Sequence, residues 1–84
     1  VSYTWALGLA ALAKAKLGSF DVALDLAGQV LGGIDVPELV SGYAYHAQAL
    51  AVGGVKGKNL AVKAMKAYLA SGAVALATEV SALV

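Results

Sequence analysis

The chain has no cysteine and no arginine, one proline, one methionine and one histidine. Without cysteine there is no disulfide framework and no thiolate metal site, and the redox compartment stays open. Without arginine, and with a net charge of only +1, phosphate neutralisation is meagre. No direct sequence-specific nucleic-acid partner is therefore expected. Amides are scarce as well: Gln29, Gln48 and Asn59, a thrift that fits a hyperthermophile. The first charge is Lys14, so no signal-peptide pattern opens the chain. Position 1 is Val rather than Met, which fits either a removed leader or numbering that starts inside a longer product.

What is present is apolar. Hydrophobic residues make up 61% of 84 positions, charged ones 13%, and mean hydropathy is +0.80. Disorder is excluded at that composition. A chain this short buries only about 60–65% of its unfolded surface. Copies of itself or membrane lipid are expected to cover what remains.

One all-helical domain, 1–84, is predicted, because no strand-period alternation occurs. Its N-terminal part, 1–33, holds Ala- and Leu-rich segments at 2–17 and 20–31. They are divided by Gly18-Ser19, a C-cap followed by an N-cap. Residues 34–37, Ile-Asp-Val-Pro, form a hinge. An apolar hairpin, 38–84, completes the chain. Its first helix, about 38–54, overlaps the uncharged stretch 39–55, and a basic turn follows at Val55-Lys56-Gly57-Lys58-Asn59. The last helix, about 59–83, has Asn59 as N-cap and contains Gly72 at a cost of about 1 kcal/mol. At roughly 1.5 Å per residue it is long enough for a bilayer core. Charge is segregated: Asp21, Asp25, Asp35 and Glu38 in one stretch, Lys56, Lys58, Lys63 and Lys66 in another.

Two apolar helices about a basic turn match a membrane hairpin. Glu79 opposes simple lipid exposure, since a carboxylate in hydrocarbon must be paired or near an interface. Small residues form ridges for close helix packing: Gly28 with Gly32, Ala47 with Ala51, and Ala64, Ala67, Ser71 and Ala75. These faces call for other helices.

With these elements the chain resembles the pilins of conjugation-type (type IV) secretion, archaeal-like. The resemblance lies in the architecture of residues 37–84 and carries no diagnostic motif. It implies a membrane-inserted precursor that is drawn into an extracellular, homopolymeric filament for adhesion or DNA transfer. Lipid would pack between subunits, with Lys56, Lys58, Lys63 and Lys66 at the headgroups and lumen. A helical coat subunit of a filamentous virus follows from the same physics.

Residues 6–31 also resemble one tetratricopeptide-type repeat, which implies a helical interaction module. Leu17-Gly18-Ser19-Phe20 with Ala23 matches that family's turn and following Ala, and Pro37 comes near the repeat end. A second copy would turn at Val52-Gly53, but Ala61 lies three residues too far along and the aromatic is absent.

No chemistry is expected. His46 has no acid at i±3 or i±4, so no metal site forms around it, and Asp21 and Asp25 read as surface acids. Gly53-Gly54-Val55-Lys56-Gly57-Lys58 lacks the phosphate-loop pattern. No Ser–His–acid order is convincing. The chain is read as a non-enzyme with no small-molecule substrate and no cofactor beyond bound membrane lipid. Tyr3, Trp5, Tyr43, Tyr45 and Tyr68 form either an interfacial belt or core packing, with His46 hydrogen-bonded among them.

Overall fold

Ala and Leu dominate the first described segment, and it winds into the first of five helices among the described residues. The structure, a computed structural model, describes residues 3–84. Val1 and Ser2, and with them the expected start of the first segment, lie outside the described residues. The helices are α1 (Tyr3–Lys16), α2 (Phe20–Leu31), α3 (Glu38–Val52), α4 (Gly54–Ala70) and α5 (Val74–Ser81). Among the described residues there is no strand, and the fold is all-α.

One turn design is used twice. At the end of α1, Ser19 N–H donates to the Lys14 carbonyl at 2.9 Å, and Gly18 N–H donates to that of Ala15 at 3.1 Å. At the end of α4, Ala73 N–H donates to the Tyr68 carbonyl at 2.8 Å, and Gly72 N–H donates to that of Leu69 at 3.1 Å. Both turns need a left-handed residue to close over the last carbonyls, and Gly18 (φ 85°) and Gly72 (φ 80°) supply it. The long helix expected over 59–83 is therefore two helices of 17 and 8 residues. Gly72 ends α4 instead of being carried inside it. Among the described residues, no helix is long and apolar enough to cross a membrane.

The expected basic turn is also relocated. The chain reverses at Gly53, the single residue between α3 and α4. Gly57 N–H already donates to the Gly53 carbonyl at 2.8 Å. Lys56 and Lys58 thus lie in the opening turns of α4, and Asn59 is inside the helix, not its cap. Gly53 and Gly54 both take positive φ, so two residues accomplish the reversal and the lysines are left to the helix.

The helices stack in chain order. α1 pairs with α2 and α3 with α4, while α3 also packs on α1 and α2, and α5 packs on α4. α3 is buried on two sides. Val40, Ala44 and Ala47 join Ala11, Ala23, Ala27 and Val30 in one core. Ala49 joins Ala61, Ala64, Tyr68, Ala77 and Val80 in the other. The parts on either side of the 34–37 hinge therefore share a core.

Burial recurs at a step of 34 residues. Gly8, Leu12, Ala15, Ala23, Ala27 and Val30 are buried, and so are Gly42, His46, Ala49, Gly57, Ala61 and Ala64. Val80 of α5 stands one further step beyond His46 and is also buried. The first four helices thus form two helix–turn–helix units, and α5 follows, packed on α4. Small residues at these positions bring the helices close. A Cβ on Gly42 would lie 2.6 Å from the Tyr68 ring.

Of the residues expected to pack helices, Ala47, Ala64 and Ala67 are buried and Ala51 is half-buried. Gly28, Gly32, Ser71 and Ala75 are exposed and take no part in packing within the chain. Their spacing is helical, but α2 presents Ala23, Ala27 and Val30 inward instead. Ser71 falls in the turn at Gly72 rather than on a ridge.

Candidate functional site

His46 sits in the middle of α3, where both flanks of the helix are covered, and is 2% exposed. Its Nδ1 lies 2.9 Å from the hydroxyl of Tyr68, which is itself fully buried on α4. Its Nε2 faces Glu79 of α5, 3.6 Å from Oε2. Glu79 accepts from Lys16 of α1, whose Nζ is 2.9 Å from the same oxygen. Four helices thus each send one polar side chain to a single point. A carboxylate 3.6 Å beyond Nε2 favours, by its charge, the neutral tautomer protonated there. Tyr68 O–H then donates to Nδ1.

The electrostatics follow from depth. Burial lowers the pKa of His46 from its ordinary 6.5; Glu79 opposes that shift and Lys16 adds to it. Burial likewise pushes the Tyr68 hydroxyl well above the ordinary tyrosine range, with smaller contributions from Tyr43 and Glu79. The hydrogen bond from Lys16 holds Glu79 below the ordinary carboxylate value. His46 is therefore neutral at neutral pH, between a phenol and an ion pair.

This cluster forms one end of a pocket of about 360 Å³. Its walls are Ala15, Phe20, Leu50 and Leu83, and Lys16, His46 and Glu79 are its polar side. α5 packs mainly on α4, and the pocket lies where α1, α3 and the C-terminal end of the chain meet. A smaller hollow of about 190 Å³ lies between α4 and α5. Hydroxyls at its edge are already committed: Thr78 donates to the Val74 carbonyl and Ser81 to that of Thr78.

Set against known protein families, curated proteins and solved structures, the chain matches none of them.

The residues singled out in the sequence are only partly brought together. Lys56, Lys58, Lys63 and Lys66 are all on α4 and exposed. Lys63 lies 5.7 Å from the centre of the Tyr45 ring, within reach of a cation–π contact. Asp21 and Asp25 are exposed on α2, and Asp25 accepts from Gln29 at 3.0 Å. Among the described residues, no three metal-ligating side chains gather. Three of the aromatics pack together: Trp5, Tyr43 and Tyr68 stand edge to face at 6.1 Å centroid spacings. Tyr3 alone of that set is largely exposed.

Sequence reasoning missed the pocket. Lys16, His46 and Glu79 come from three helices, and no local spacing links them. Glu79 was the available signal, as an isolated carboxylate in an apolar segment that needed a partner. Lys16 and His46 are the groups that meet it.

Proposed function

We propose that the chain is a small helical-repeat binding module of the tetratricopeptide kind, holding a segment of a partner polypeptide in the groove between α1, α3 and α5. The observation that carries this reading is the 34-residue recurrence of buried positions across two helix–turn–helix units. Units stacked this way contact only their neighbours and leave a row of helices lining a concave surface. On this reading α1, α3 and α5 are the first helices of successive units, and each contributes to the pocket.

The groove's chemistry suits recognition. Phe20, Leu50 and Leu83 offer an apolar wall for a bulky side chain. Lys16, Glu79 and His46 Nε2 offer donors and an acceptor for main-chain amides. The volume is at the small end of the roughly 300–1,000 Å³ usual for ligand pockets, enough for an anchor rather than a whole cofactor. The reading assigns no bond-making step to the chain. A lipid-packed filament draws no support from the ranges of α4 and α5.

Panning a random peptide library on the immobilised protein tests the proposal. Enriched peptides should share an apolar anchor and lose binding to Phe20→Ser and Leu83→Ser variants whose circular dichroism is unchanged. Absence of enrichment, or peptides that bind those variants equally well, would overturn it.

A further inference from the structure

Two helix faces carry charge and no partner. The outer face of α2 bears Asp21 and Asp25, with Asp35 and Glu38 following at the hinge. The outer face of α4 bears Lys56, Lys63 and Lys66, which at about 100° per residue share an arc of about 80°. All of these side chains are exposed. Among the described residues, the ion pair between permanently charged groups is that of Glu79 with Lys16. Neither charged face is therefore neutralised within the chain.

The 34-residue step relates the two faces. It sets Val22 and Gln29 of α2 and Gly32 at its C-cap in the register of Lys56, Lys63 and Lys66 of α4. Asp21 and Asp25 neighbour those α2 positions, so the acidic and basic faces look out from one flank of the stack, with α3 packed against both helices. A two-fold rotation lays such a flank on a second copy with opposite charges facing each other, twice over. We infer that this flank is a self-docking surface, with α2 of each copy against α4 of the other. Gly28 and Gly32 have no side chain to hold a partner helix off. Val22 and Val55, exposed beside the charges, add apolar surface to the contact.

Charge pairing at a solvated surface is screened by salt, and like-charge juxtaposition opposes wrong pairings. Sedimentation equilibrium tests the inference on the whole chain. The wild type should reach a dimer at low ionic strength, and its association constant should fall by about tenfold or more between about 10 mM and 1 M salt. Asp21→Lys/Asp25→Lys and Lys63→Glu/Lys66→Glu should each be monomeric. Mixed together they should restore a dimer, because the reversed α2 of one then faces the reversed α4 of the other. A wild type that stays monomeric at about millimolar concentration would overturn the inference. So would open polymers, reversal variants that dimerise as before, or a mixture that stays monomeric. Peptide capture in the groove should survive all these substitutions, so its loss or retention is read separately.

Discussion

The Tyr68 hydroxyl meets Nδ1 of His46 at 2.9 Å across the α3–α4 interface, the one buried side-chain hydrogen bond among the described residues. Tyr68→Phe keeps the ring and removes the donor. His46 Nδ1 is then left unpaired in a site where water does not reach, at a cost of about 1–3 kcal/mol. Urea unfolding should register that loss. An unchanged midpoint would show that the hydrogen bond contributes nothing net.

The only histidine also sets an acid limit. The folded pKa of His46 lies below the unfolded value of 6.5, so below pH 6.5 the unfolded state binds the proton first. Stability should therefore be constant above that pH and fall as pH decreases toward the folded pKa. The steepest slope available to one such group is about 1.4 kcal/mol per pH unit. Glu79 enters only below its ordinary 4.5, where its own lowered pKa removes further stability on acidification. Stability measured from pH 7.5 to 5 should show the loss, and His46→Gln should flatten it. Stability rising on acidification through that window would contradict the assignment.

Lys16 and Glu79 act on that titration with opposite signs. Glu79→Gln removes the charge that favours protonated His46, and should lower its pKa further. Lys16→Met should raise it. The exposed ion pair itself is worth little, about 0–1 kcal/mol, so neither variant should unfold the chain. A proton NMR titration of the His46 ring reads both shifts. No movement in either variant would place the pair too far away to matter.

Gly42 and Gly28 should respond oppositely to alanine. At Gly42 the added methyl meets the Tyr68 ring at 2.6 Å, and overpacking of that kind costs about 1–3 kcal/mol. At Gly28 no atom lies within 4 Å, and the helix gains up to about 1 kcal/mol from the better former. Thermal unfolding of the two variants checks the pair of signs.

Much of the fold was legible because helix propensity and glycine punctuation act locally. α2 and the hinge before α3 fall where Gly18-Ser19, Gly32-Gly33 and Pro37 place them. Gly72 was misread because one glycine in an Ala-rich run has two readings. It can be an interior cost or a left-handed closure, and only the partners of the freed carbonyls decide. Lys56 and Lys58 were misread for a related reason: a basic, Gly-containing stretch looks like a turn, yet Gly53 and Gly54 had already reversed the chain. The repeat was hidden because burial recurs without identity. Ala23 is matched by Gly57 and Leu12 by His46, so searching for Ala at the second turn found Ala61 in what proves to be the register of Ala27. The site was hardest to see, because Lys16 and Glu79 are joined only after five helices have stacked.

The groove is the central claim, and chemical-shift mapping of isotope-labelled protein with a selected peptide tests it most directly. Shifts should concentrate at Lys16, Phe20, Leu50 and Leu83 and move the titration of His46. Shifts confined to the outer faces of α2 and α4, with that titration unmoved, would contradict it.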